Sequence, residues 1–376
     1  MKYLIWLQSV LNIGNNRVKD ILKFFGSAEN VYNADYKEIL SSKLFKKSEL
    51  VRIKDKDLSA SLEIIEDCKN NDIEIIPFGS CKYPYCLSVI EDAPLLLYVK
   101  GNMPDFDEFP SISIVGPRKI TDFGKKAAFS LSFRLAKSGF CIVSGGALGG
   151  DTYAHAGAIK AKGKTVIVLG CGILNNYLPQ NAPLRKEVAN SGAIISEFPP
   201  RADASKYTFP IRNRIVSALS LGTVVIEASV KSGALITARY AAEQGRDVFV
   251  IPGQPNRKEY EGSNALLRDG AKPVLDASDI FSEYIVRFPD KINIEKAFDG
   301  PILDNREKSY KKIEKNLPET LSKEAKIVYN YLDKQKFLPE DISGCGMDGD
   351  SIISALTELE MEMLIKAIPG GMYEKL

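Results

Sequence analysis

The chain has 376 residues, enough for two or three domains. Its apolar fraction of 45% supplies at least one sizeable core, and its 26% of charged residues make an ordinary soluble surface, which excludes a disordered tail protein, a collagen-like repeat and a disulfide-held miniprotein. Net charge is only +2, so a nucleic-acid partner requires basic residues gathered locally.

His155 is the one histidine, which excludes multi-histidine metal sites. It also leaves at most one histidine-based nucleophilic constellation. The six cysteines (Cys68, Cys81, Cys86, Cys141, Cys171, Cys345) show no CxxC spacing, and Cys141 and Cys171 sit in apolar runs as small hydrophobes. The start of the chain lacks the small-residue cleavage site of a signal peptide. No run reaches about 18 apolar residues, so a cytoplasmic, reduced protein without a membrane span is expected.

Residues 1–70 read as a helical domain. Val18, Ile21, Leu22 and Phe25 fall at i, i+3, i+4 and i+7, and Gly26 ends that helix. The preceding Leu11-Asn12-Ile13-Gly14-Asn15-Asn16-Arg17 resembles a helix-hairpin-helix turn, whose amides would face a phosphate. A small packing domain is the preferred reading of the whole segment.

Residues 71–290 alternate apolar strands with amphipathic stretches. The expected strands are 112–115, 140–143, 165–169, 193–195, 223–226, 247–251 and 273–275, and a helix over 123–138 uses Phe123, Ala127, Leu131 and Leu135. This pattern predicts an α/β domain, a Rossmann-like doubly wound parallel sheet. Such sheets bind ligands at the carboxyl ends of their strands. Residues 291–318 read as a charged linker. In residues 319–376, Ala325, Val328, Tyr329 and Leu332 give one helical face and Ile352, Ile353, Leu356 and Leu359 another. With a hairpin at Gly370-Gly371, these look like a winged helix.

Gly157 to Thr165 mimics a P-loop, but five residues separate its glycines, and Gly163-Lys164 ends a helix and opens a strand. It reads as a helix C-terminus with a basic last turn. Four other segments follow strands. They are Val115-Gly116-Pro117-Arg118-Lys119, Ser144-Gly145-Gly146-Ala147-Leu148-Gly149-Gly150-Asp151, Lys206 to Arg214, and Lys231-Ser232-Gly233-Ala234. The third holds Lys206, Tyr207, Phe209, Arg212, Asn213 and Arg214. Aromatics stack bases while Arg and Lys take phosphates, the chemistry of single-strand binding. The candidate nucleic-acid-binding residues are Arg118, Ser144, Gly145, Gly146, Lys206, Phe209, Arg212, Asn213 and Lys231. No catalytic residue, cofactor or metal is expected. His155 reads as a structural bridge between loop and helix. Glu197 and Glu227 read as loop-orienting carboxylates or partners of Arg212 and Arg214.

These motifs carry a resemblance. From about Tyr83 to Ile280 the chain resembles the DNA-processing protein A (DprA/Smf) family. The resemblance rests on Val115-Gly116-Pro117-Arg118, Ser144 to Ala147 with Asp151 and His155, and Ser196-Glu197. It continues through Phe209 to Arg214, Glu227-Ala228, Ser232 to Ala238, Gly245 to Val248 and Pro252-Gly253. Family members often add an N-terminal helical SAM-like domain and a C-terminal winged helix. The resemblance implies a non-enzymatic protein that protects single-stranded DNA and loads it with the RecA recombinase in natural transformation. It also implies a homodimer formed through the Rossmann-like domain. Carried over, Arg118, the Gly145-Gly146 turn, Lys206, Arg212 and Asn213 hold phosphates, and Phe209 packs against a base. The chain departs from the family pattern at Pro117, Leu148 and Gly150, and in Tyr177-Leu178-Pro179-Gln180-Asn181 the proline stands one place late. The alternatives are a Rossmann-like nucleotide phosphoribohydrolase and a nucleotide-ligand sensor. The phosphoribohydrolase pattern has a doubled glycine where residues 231–237 have one.

Overall fold

The structure is a computed structural model, and it describes residues 1–298, 321–332, 336–339, 341–342, 346–362, 364–368 and 372–375. The chain divides into two compact units, Met1–Ile302 and Leu303–Leu376.

The first unit begins with six helices: α1 (Lys2–Leu11), α2 (Val18–Phe25), α3 (Ala28–Asn33), α4 (Tyr36–Ser42), α5 (Lys47–Arg52) and α6 (Ser59–Asn70). The expected periodicity holds in α2, where Val18, Ile21 and Phe25 are buried and Gly26 caps the end at φ +79°. Leu95 and Leu96 join the apolar core of these helices, so the helices and the sheet share a packed boundary.

Nine strands form one sheet: β1 (Ile73–Pro77), β2 (Leu96–Gly101), β3 (Ser111–Val115), β4 (Cys141–Ser144), β5 (Thr165–Leu169), β6 (Ala193–Ser196), β7 (Gly222–Val225), β8 (Asp247–Val250) and β9 (Lys272–Pro273). Their order is β1-β2-β6-β5-β4-β3-β7-β8-β9. The seven strands β3–β9 run parallel, and β1 and β2 extend the β6 edge antiparallel. That antiparallel edge was absent from the sequence expectation. The strand order reverses at β3, where β4 lies on one side and β7 on the other, which places the switch point at the carboxyl ends of β3 and β7.

The crossovers and flanks are α7 (Tyr85–Ser88), α8 (Asp122–Lys137), α9 (Gly150–Lys160), α10 (Ala182–Ser191), α11 (Thr208–Ala218), α12 (Gly233–Glu243), α13 (Glu261–Arg268), α14 (Ser278–Tyr284) and α15 (Ile294–Phe298). Strand side chains alternate between faces. Ile112, Ile114, Ile142, Val224, Ile226 and Phe249 pack with Ala128, Leu131, Leu135, Ala154 and Ala158 of α8 and α9. On the other face Val143, Val166, Val168, Val225 and Val250 pack with Ile215, Val216, Ala234 and Ala238 of α11 and α12. Helix α8 buries Gly124, Ala128, Leu131 and Leu135, while Phe123 is 51% exposed. Its first turn therefore presents a different face from the expected one, because the Thr121 hydroxyl caps Gly124 N–H and winds that turn with Gly124 inward.

The P-loop look-alike is a helix end followed by β5. Lys162 takes the left-handed conformation at φ +56°, and Gly163 N–H donates to Ala158 at 3.0 Å. In the second unit, α16 (Lys323–Tyr331) and α17 (Gly349–Met361) pack with β10 (Lys336–Phe337), β11 (Ile365–Ile368) and β12 (Met372–Lys375). The three strands pair antiparallel in the order β10-β12-β11. Ile352, Leu356 and Leu359 are buried, but Ile353 is 59% exposed. Of the linker expected at 291–318, residues 291–298 instead belong to the first unit, where Ile292 and Ala297 are buried in the apolar core, and residues 299–318, the Gly370-Gly371 turn and Cys345 lie outside the described residues.

Candidate nucleic-acid interface

Four segments meet at the carboxyl edge of the sheet. The turn after β3 carries Arg118, and its exposed guanidinium lies 5.2 Å from the centroid of the Phe209 ring. Phe209 belongs to the first turn of α11, is half-buried, and packs on Tyr177 with ring centroids 5.1 Å apart. A cation on one ring with a second ring beside it fixes both the charge and the aromatic surface.

The Gly-rich turn after β4 lies against α11. A Cβ on Gly145 would stand 2.6 Å from both terminal nitrogens of Arg212. Arg212 Nη1 donates to the carbonyls of Gly145 (2.6 Å) and Val168. Gly146 adopts φ +68°, a conformation glycine takes without steric cost. Asn181, also buried, donates through Nδ2 to Gly146 O (3.1 Å) and Thr152 Oγ1 (3.1 Å), holding the turn from behind.

Asp151, in the first turn of α9, accepts from Ala147 N–H at 3.1 Å. Burial pushes its carboxyl upward, against the pull of the Arg212 guanidinium. His155 is fully buried one turn further on. Thr165 Oγ1 donates to Ile142 O and receives His155 Nδ1 at 2.7 Å, so His155 bridges helix and strand rather than loop and helix. Burial, with Arg212 second, holds its imidazole down to about 3.

Several expectations change in this geometry. Residues 208–214 form a helix rather than a loop, which turns Arg212 and Arg214 inward, at 5% and 1% exposure. Arg212 positions the Gly145 turn from below. The expected pairing of Glu197 with an arginine of this segment holds, for Arg214 pairs with Glu197 (2.7 Å) and also with Asp92 (2.9 Å). Ser144 is fully buried and donates its hydroxyl to Ile114 O at 2.7 Å, fastening β4 to β3. The Asn213 amide links Arg212 Nε to Gly233 O. Glu227 accepts from Thr121 N–H (2.8 Å) and Oγ1 (2.7 Å), orienting the start of α8. The Gly14 turn also differs. Its amide donates to Glu197 at 3.4 Å, and a Cβ added there would stand 3.0 Å from Ile211 Cγ2, so the helix-hairpin-helix-like loop is docked on the sheet domain rather than presented to a phosphate.

The structure thus brings together Arg118, Phe209, Gly145, Gly146, Arg212 and Asn213. Lys206 and Lys231 are exposed, Lys206 lying 5.1 Å over Tyr207, and among the described residues neither is tied to that group. Sequence reasoning did not assign Tyr177 or Asn181. The five-residue segment containing both interrupts a strand–helix crossover with a proline, and that was the available signal. Among the described residues, no cluster of histidine, cysteine, aspartate or glutamate could hold a metal, and no helix is long and apolar enough to cross a membrane.

A parallel sheet with a cation, an aromatic pair and a glycine turn at its switch point defines a Rossmann-like ligand-binding protein. The chain belongs to the DNA recombination-mediator protein A family, whose model matches residues 74–285. It is 34% identical to the DNA processing protein DprA of Streptococcus pneumoniae, over 73% of this chain and 91% of that protein. It is 41% identical to DprA of Bacillus subtilis, over 56% of this chain and 71% of that protein. Among solved structures, S. pneumoniae DprA superposes with a TM-score of 0.66 at 30% identity, covering 75% of this chain and 98% of that one. The Helicobacter pylori protein, described with its single-stranded DNA binding mode, gives 0.52 at 30% identity, covering 57% and 96%.

Proposed function

We propose that the chain binds single-stranded DNA at the carboxyl edge of its sheet, protects it, and delivers it to the RecA recombinase. The observation that carries this reading is the Arg118–Phe209–Tyr177 arrangement beside the Gly145-Gly146 turn. Arg118 takes a phosphate there, the exposed Lys206 and Lys231 take phosphates farther along the strand, and the aromatic pair offers a face to a base. Arg212 and Asn213 hold the turn in place from within the fold. The single-stranded DNA named for the H. pylori relative supports the same class of ligand.

The role is binding rather than catalysis. His155 is sealed in the core against Thr165, and the carboxylates of Glu197 and Glu227 are both engaged by neighbouring residues. The protein works in the cytoplasm as a homodimer joined through the Rossmann-like domain. The C-terminal unit, whose described residues form two helices and a three-stranded sheet, serves as a winged helix.

Fluorescence anisotropy with labelled oligo-dT across a salt series, with duplex as competitor, tests the reading. Tight binding that resists duplex is expected, with a log–log slope of about −0.7 for each phosphate neutralised. Arg118→Ala and Lys206→Ala each reduce that slope by about one phosphate's worth. Folded protein that binds no oligo-dT at low salt overturns the reading and favours a nucleotide ligand.

A further inference from the structure

The opposite edge of the sheet carries a second cationic surface. Phe109 precedes β3, Lys164 precedes β5, and Lys291 follows α14. The ammonium of Lys164 lies 4.0 Å from the centroid of the Phe109 ring, and that of Lys291 lies 4.5 Å from the same centroid. The segments carrying them are pinned to the end of α8 and the start of β4. Cys141 N–H donates to Pro110 O (2.8 Å), Ile142 N–H to Lys164 O (3.1 Å), and Asn293 N–H to Ser138 O (2.8 Å). Among the described residues no carboxylate comes within 4.0 Å of either ammonium, although Glu108 and Asp290 are adjacent in sequence. Two like charges held on one ring without a counter-charge are relieved by an anion placed between them.

Helix α8 connects this surface to the first site. It begins four residues after Arg118, and its 16 residues rise about 24 Å to the amino edge. Lys126, Phe129, Phe133 and Lys137 recur at spacings of three and four along one side of it. The rings of Phe129 and Phe133 lie 6.5 Å apart and within 13° of parallel, and Lys137 lies 5.8 Å over Phe133. The helix dipole accounts for basic residues in the last turn of α8. It does not account for Lys164 or Lys291, which belong to other segments.

We propose that a single-stranded nucleic acid seated at Arg118 and Phe209 continues along α8 and is held again by Lys164 and Lys291 at the amino edge. The lysines take phosphodiesters, Phe109 sets their spacing, and Phe129 and Phe133 give bases an apolar surface. The direction of the track rests on the proposed function, and the amino-edge contact itself rests on the geometry above.

The test uses the full chain and the double variant Lys164→Ala/Lys291→Ala, with a short oligo-dT of about 6 nucleotides and one several times longer. The short oligonucleotide is expected to bind as in the parent. The long one is expected to lose about tenfold in affinity, with its salt slope reduced by about 1.4, two phosphates' worth. Unchanged affinity and slope for the long oligonucleotide overturn the proposal. Arg118→Ala separates the two sites. If it affects neither length while the double variant still weakens the long one, the proposed function fails at the carboxyl edge and the amino-edge site stands. Crosslinking of an iodouracil-substituted long oligonucleotide gives an independent readout. Adducts on the 109–133 segment are expected, and adducts confined to residues 177–209 overturn the track.

Discussion

Gly145→Ala isolates the contact on which the glycine turn is built. The new methyl would stand 2.6 Å from Arg212 Nη1 and Nη2 and 2.7 Å from its central carbon. A flexible arginine tip in solvent would swing aside. This one is 5% exposed, donates to the carbonyls of Gly145 and Val168, and lies beside the Asp151 carboxylate. Either the guanidinium gives up buried hydrogen bonds or the turn moves outward. Overpacking costs about 1–3 kcal/mol, and a charged hydrogen bond left unmade costs a similar amount. The variant is therefore expected to lose about 2–4 kcal/mol in chemical denaturation, summing part of each effect. Its affinity for oligo-dT should fall with it, because the turn is displaced into the ligand's place. The diagnostic experiment is a double-mutant cycle with Arg212→Lys, whose single ammonium leaves room for the methyl. Coupling of about 1–3 kcal/mol between the two positions is expected. Additive effects would refute the claim that Arg212 is what forbids a side chain at residue 145.

Phe209→Ala is expected to weaken oligo-dT binding by about 1–3 kcal/mol, and Tyr177→Ala should follow it in direction, since the two rings support each other; anisotropy reads both. Glu197→Gln leaves the fully buried Arg214 short of one of its two charge partners, and about 3–5 kcal/mol of stability should go with it, measured by denaturation. His155 is neutral in the fold down to about pH 3, whereas an unfolded chain protonates it near 6.5. The unfolded state thus binds the extra proton, so this contribution is complete above pH 6.5 and is lost as pH falls toward 3. By pH 5 about 2 kcal/mol has gone, and His155→Gln should flatten the stability–pH curve by that amount relative to the parent.

The parallel core was legible because strands buried on both faces must be continuous apolar runs, as in Thr165–Leu169, whose five residues are all buried. The antiparallel edge was not, because β1 is buried only at Ile73 and Ile76, with Glu74 exposed and Ile75 and Pro77 half-buried, and β2 ends in Lys100 and Gly101. Such strands show which face they use only once a neighbour exists. The candidate site was half legible for a related reason. Arg118 was placed correctly at a strand end, where the switch point of the sheet puts it in solvent. Arg212 reads as a phosphate ligand beside it, and Arg214 as part of the same basic segment, because charge is a poor guide to direction within the first turns of a helix. In α11 the pitch carries both guanidiniums inward, where backbone carbonyls and the carboxylates of Glu197 and Asp92 receive them. A charge run read as one surface is therefore two things here. Lys206 and Tyr207 face the solvent. Arg212 and Arg214 hold, from beneath, the glycine turn and the docking of the N-terminal helices that keep that face in shape. Such an arrangement requires that loss of either buried arginine be felt first as instability and only through it as lost binding.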